Sequence, residues 1–199
     1  GTDNQPALSP DGRTLAWLSM ARAGYESDRN VIKLLDLKSG KVRELTAGWD
    51  RSPGSLQWSN DGRSLIVDAG DVMEHPLFRV DVASGRVTRL TESGTAHAAV
   101  PLADGSIVYA MNSLKAPDDL YLIDRKGQTR RLTDVNHALL AELDPIKFEK
   151  FSFAGANDDR VWGFTLKPQT HVGKLPIAFV VHGGPQGSFG NGWSYRWNP

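Results

Sequence analysis

Pro10-Asp11-Gly12-Arg13, followed by Thr14-Leu15-Ala16-Trp17-Leu18, decides the fold because it comes back twice. It returns as Asn60-Asp61-Gly62-Arg63 before Ser64-Leu65-Ile66-Val67, and as Ala103-Asp104-Gly105-Ser106 before Ile107-Val108-Tyr109. Asp-Gly tolerates the positive φ of a tight hairpin turn, and the apolar, β-branched and aromatic run behind it reads as a strand. A second motif follows each copy. Ile32 to Leu37, Ser39-Gly40 and Val42-Arg43-Glu44-Leu45-Thr46 recur from Leu77 to Thr91 and from Leu120 to Thr133, with Leu-Thr endings at 45, 90 and 132.

Both halves recur in the same order at a period of roughly 45 residues, the signature of a repeat architecture. Unrelated hairpins in a sandwich would not keep that order. Each repeat predicts about four short antiparallel strands, and four strands per repeat make a propeller blade. The fold class expected is mostly β: residues 1–133 as about three four-stranded blades of an incomplete β-propeller. Asp36, Asp81 and Asp124 occupy one place in the repeat and read as structural residues of a strand-to-turn bend. Propellers close with about four to eight blades, so further blades are expected elsewhere in the polypeptide.

Beyond Thr133 the repeat stops. Residues 134–147 read as a linker with a helical turn around Ala138-Leu139-Leu140 and a breaker at Pro145. Residues 148–199 read as a second, truncated domain, with strands Phe148 to Phe153 and Val161 to Leu166 joined through Asn157-Asp158-Asp159. Pro176-Ile177-Ala178-Phe179-Val180-Val181 is a continuous apolar run, expected to be a strand buried on both faces of an α/β sheet.

That run leads directly into His182-Gly183-Gly184-Pro185. In α/β-hydrolases the loop after the third strand supplies one oxyanion-hole N–H, and glycine there lets backbone approach the developing charge with no side chain between. Gly184 is the expected donor, with Gly183 beside it. Pro185 biases Gly184 toward extended backbone and brings no competing donor. His182 has no identifiable nucleophile to serve and reads as a loop-shaping residue. His75, His97, His137 and His171 lack metal-ligand spacing, so no metal is expected.

Lysine plus arginine equals aspartate plus glutamate, 23 of each. With no net field, neither nucleic acid nor a membrane is an expected partner. There is no cysteine, which excludes disulfides and thiolate catalysis and leaves the compartment open. No cofactor motif is present.

Blades with Ser-Pro-Asp-Gly turns, followed by a hydrolase entry ending in His-Gly-Gly-Pro, resemble prolyl oligopeptidase family serine peptidases with a TolB- or WD-like propeller. Ala23-Gly24-Tyr25-Glu26-Ser27-Asp28-Arg29 and Val181 to Phe189 are most similar to the dipeptidyl-peptidase V and acylaminoacyl-peptidase branch. The resemblance implies a propeller capping a hydrolase domain, a Ser, Asp and His triad, and short peptides as substrates. No Gly-x-Ser-x-Gly occurs in the chain, and Gly187-Ser188-Phe189-Gly190 lacks the leading glycine. The triad is therefore expected on the remainder of the polypeptide, with the missing blades, whether joined to this chain or held as a second one. Alone, the chain is expected to be inactive. Glu26 and Asp28 are candidates for binding a substrate α-ammonium. Trp193, in a segment shared with Tyr195, Arg196 and Trp197, could line an apolar subsite or pack between domains. A homodimer is open. An esterase on the same scaffold and a non-catalytic, protein-binding propeller are the alternatives.

Overall fold

The computed structural model describes residues 2–143, 147–168, 173–184 and 187–196. Three four-stranded antiparallel sheets follow one another along the chain, each with its strands in sequence order. The first comprises β1 (Asp3–Leu8), β2 (Thr14–Ser19), β3 (Val31–Asp36) and β4 (Val42–Glu44). The second comprises β5 (Pro53–Trp58), β6 (Ser64–Ala69), β7 (Leu77–Asp81) and β8 (Val87–Arg89). The third comprises β9 (Thr95–Pro101), β10 (Ile107–Ser113), β11 (Ala116–Ile123) and β12 (Thr129–Arg131). These are the predicted blades.

The repeated residues do the local work expected of them. Asp11 and Asp61 accept the serine hydroxyl two residues before them and the backbone N–H two residues after. Asp36 Oδ1 takes both the N–H and the hydroxyl of Ser39 at 2.7 Å, and Asp81 does the same for Ser84. Asp124 accepts the N–H groups of Lys126 and Gln128. Each carboxylate thus fastens the turn it opens.

Alternation along β6 explains how the sheets stack. Leu65, Val67 and Ala69 pack toward the first sheet with Ala16, Leu18, Ile32 and Leu34. Ile66, on the opposite face, packs with Leu77 against Ala96, Ile107, Tyr109 and Ile123 of the third sheet. Successive side chains of a strand point to opposite faces, and here Leu65, Ile66 and Val67 are apolar in succession because both faces are covered. The first strands of the sheets, β1, β5 and β9, each carry a bulge, at Asn4/Ala7, Pro53/Ser55 and opposite Val108/Ala110. Gln5 and Ala98 take positive φ there.

After β12 the chain makes one helical turn, α1 (His137–Leu140), where it was expected. Pro145 lies outside the described residues. A hairpin follows, β13 (Lys147–Ala154) and β14 (Arg160–Lys167), turning through Ala156–Asp158. The strand expected over 176–181 is not formed: residues 174–183 run as irregular chain, with Ile177 88% and Phe179 84% exposed. A strand buried on both faces needs a layer over each face, and this run is exposed along its length.

Candidate functional site

β1 starts opposite the end of β2, β5 opposite the end of β6, and β9 opposite the end of β10. The β2–β3 loop, the β6–β7 loop and the β10–β11 turn therefore leave from one end of the stack. Hydrogen bonds tie them to their neighbours there. Arg29 donates to the carbonyls of Ala47 and Trp49 ahead of β5, and His75 N–H donates to Gly94 O ahead of β9.

The β2–β3 loop carries Glu26 and Asp28. Glu26 is exposed. Asp28 is engaged within its own loop: its carboxylate accepts the Arg22 backbone N–H at 2.9 Å and two guanidinium nitrogens, while that guanidinium lies 3.7 Å over the Tyr25 ring. The Arg22 bonds hold the Asp28 carboxyl below the usual range. Of the two candidate carboxylates, Asp28 is thus committed to a local ion pair with Arg22.

On the second and third sheets, Asp68 accepts the Ser55 hydroxyl and sits 2.8 Å from His75 Nε2, while His97 Nε2 lies 2.9 Å from Asp118, which also accepts Asn112 Nδ2. Serine and histidine both bond the aspartate and not each other, so this is not a nucleophile activated by a base. Beside it, Trp49, Asp50, Arg51, Asp71 and Phe78 line a cleft of about 300 Å³. Arg51 and Arg89 both grip the Asp71 carboxylate, at 2.9 and 2.6 Å.

The glycine loop approaches from the other part of the chain. Gly183 and Gly184 are exposed, and Gly184 has φ +143°, backbone that a side chain would strain. His182 Nδ1 lies 3.2 Å from Gly183 O. Gly187 folds back on the loop so closely that a Cβ there would stand 2.6 Å from Gly183 O. Pro185 lies outside the described residues, as do His171 and Trp197.

From there the chain enters the stack. Asn191, 4% exposed, reaches Glu74 on the β6–β7 loop, and the Trp193 N–H donates to Asn112 Oδ1 at 3.0 Å. Trp193 is half-buried and meets Tyr195 edge-on at 5.8 Å, and its indole N–H is buried with no acceptor among the described residues. The structure thus sets Trp193 against the third sheet. Nothing in the sequence pattern singled out Glu74 or Asn191; the signal available was the pair of glycines flanking Asn191.

No family model matches the chain. Dipeptidyl-peptidase 5 of Aspergillus fumigatus is 34% identical to it over 207 residues, which take in all of this chain and 29% of that protein. Probable dipeptidyl-peptidase 5 of Arthroderma benhamiae is 36% identical over 211 residues, all of this chain and 28% of that protein. The chain spans less than a third of the length of these curated relatives. Among solved structures, the acylaminoacyl peptidase of Pyrococcus horikoshii superposes on 94% of the chain and 29% of its own, with a TM-score of 0.78 at 24% identity. A putative TolB from Agrobacterium tumefaciens covers 67% of this chain and 50% of its own, with a TM-score of 0.55 at 20% identity. These two likenesses concern the fold alone.

Proposed function

We propose, given that this chain belongs to the prolyl oligopeptidase family, that it supplies the propeller wall and the oxyanion loop of a serine peptidase. That enzyme releases dipeptides or short N-terminal fragments from oligopeptides. Residues 1–133 are its blades, 134–147 the linker and 148–199 the first part of its α/β-hydrolase domain. The rest of the polypeptide brings the Ser, Asp and His triad.

The observation that carries this reading is the exposed glycine backbone at 183–184, with Gly184 at a φ that requires glycine. When a serine oxygen attacks the scissile carbonyl, charge collects on the carbonyl oxygen. A fixed N–H aimed at it is worth roughly 3 to 4 kcal/mol of transition-state stabilisation. Gly184 N–H is that donor. The acyl-enzyme then forms as the amine leaves, and water releases the peptide fragment.

Substrate binding follows from the neighbouring groups. A free α-ammonium is held by charge-assisted hydrogen bonds to carboxylates. Glu26, exposed beside the Arg22–Asp28 pair, takes that role more readily than Asp28. Trp193, held to Asn112 at the same end of the stack, borders the substrate's side chain.

Full-length protein treated with a fluorophosphonate probe and assayed on dipeptide amides and simple esters tests this. Labelling with amide cleavage is expected. Ester turnover without amide cleavage would replace the peptidase by an esterase, and no labelling would leave a binding propeller, a role for which residues 148–199 are superfluous.

A further inference from the structure

We propose that Gly190-Asn191-Gly192 is a plug seated in a socket on the second and third sheets, and that Asn191 and Glu74 are positioning residues for the glycine loop seven residues upstream. The proposal rests on the oxyanion reading of that loop and extends it to residues outside the reacting centre.

The socket begins with a turn that its sequence does not favour. Asp71 and Glu74 exchange backbone hydrogen bonds at 2.8 and 3.2 Å across Val72 and Met73, which have φ +47° and +72°. Two consecutive left-handed residues make the tight hairpin turn that Asn-Gly normally occupies, and a β-branched valine there is an outlier. Such backbone persists where its surroundings over-determine it, and it clusters where position matters. Here Arg51 and Arg89 clamp the Asp71 carboxylate from one side. From the other, the turn offers Met73 O to the Asn191 N–H at 2.6 Å.

Glu74 is the floor of the socket. It is 8% exposed, and it accepts the Gly94 N–H at 2.6 Å, Asn191 Nδ2 at 2.9 Å and the ammonium of Lys150 on β13. One carboxylate thereby joins the second sheet, the connection into the third, the β13–β14 hairpin and the segment following the glycine loop. The other faces of Asn191 are also matched. Its Oδ1 accepts the Leu114 N–H at 3.0 Å and its carbonyl accepts the Thr95 hydroxyl at 3.1 Å.

The flanking glycines keep the fit close, and a side chain at either would press its neighbours back by a few tenths of an ångström. A Cβ on Gly190 would stand 3.2 Å from Met73 O, and one on Gly192 would stand 3.1 Å from Thr95 Oγ1 and 3.4 Å from Asn112 Oδ1. A surface loop needs neither glycine at such positions. A segment pressed backbone-first into a polar socket packs most closely with both, and its placement transmits directly to the loop 182–184, against whose Gly183 O the intervening Gly187 packs.

The test uses full-length protein carrying Asn191→Ala, which removes both side-chain bonds, or Gly192→Ala, which keeps every polar group and adds only the clash. Hydrogen exchange over 187–193 and steady-state kinetics on a dipeptide amide are measured together. Faster exchange there, with kcat lowered about 10- to 100-fold and KM little changed, is expected when a transition-state contact is misplaced. Faster exchange with unchanged kcat overturns the positioning role, and unchanged exchange in both variants overturns the plug. If Asn191→Ala does not fold, Gly192→Ala decides. A wild-type protein that takes no fluorophosphonate sinks the peptidase reading and the positioning role with it, while the exchange data still rule on the plug.

Discussion

The buried N–H of Ile32 donates to the side-chain oxygen of Thr46 at 2.9 Å, and the same bond recurs from Leu77 to Thr91 and from Leu120 to Thr133, each also at 2.9 Å. The repeated threonine thus fastens each sheet by accepting a main-chain donor from its third strand. Replacing Thr46 by valine keeps the shape and orphans a buried donor, which costs about 1–3 kcal/mol. Thr46→Ser keeps the oxygen and loses one buried methyl, about 0.8 kcal/mol. Urea midpoints at constant slope separate the two; equal losses would mean the oxygen is immaterial.

Gly40 and Gly85 hold the same place in the repeat at φ +70° and +73°, yet their surroundings differ. A Cβ on Gly40 meets nothing within 4 Å, whereas one on Gly85 would lie 2.5 Å from the Leu45 carbonyl oxygen of the first sheet. Gly40→Ala is expected to cost about 1–2 kcal/mol of left-handed strain. Gly85→Ala should cost that plus about 1–3 kcal/mol of overpacking. Matched thermal melts showing equal losses would remove the clash from the account.

Asp68 gives the acid limb of stability a named contributor. Burial raises its carboxyl pKa, but the bonds from His75 and Ser55 outweigh burial and hold it below the ordinary 3.8. A depressed carboxylate stabilises the fold above its unfolded value and loses that contribution as pH falls through its folded value. Wild type should therefore exceed Asp68→Asn in melting temperature near neutral pH, by a margin that narrows below pH 3.8. A margin that grows in acid would reverse the sign and refute the assignment.

Val72 is 39% exposed and left-handed, so glycine there forfeits little packing and relieves backbone strain. Val72→Gly should leave stability unchanged or raise it by up to about 1 kcal/mol. A loss above about 1 kcal/mol in chemical unfolding would show that the side chain, not the turn, is what the socket requires.

The sheets were legible because their outer halves carry the repeated Asp-Gly and Ser-Gly turns and alternate apolar residues. The first strands were not placed individually: Asp3–Leu8 reads Asp-Asn-Gln-Pro-Ala-Leu, and β5 begins Pro-Gly-Ser. Bulges break their two-residue period, so periodicity has little to find. The run 176–181 has a strand's composition, but composition cannot provide the neighbouring ladders that a strand pairs with. The fastening of Asn191 to Glu74 was invisible for a different reason. Its partners are Met73, Gly94, Leu114 and Lys150, polar or backbone groups brought together by tertiary packing from 20 to 118 positions apart in the chain.

Because every strand within the three sheets pairs with its neighbour in sequence, the order of synthesis is also an order of assembly. Each sheet contains all its own partners once its last strand has left the ribosome, and closing such local contacts is rapid. The bond from Asn191 to Glu74 spans 117 residues. It cannot form until the second sheet, the third and the hairpin have all emerged, so a nascent chain holds the Glu74 carboxylate in waiting while the residues that will complete it are still being translated.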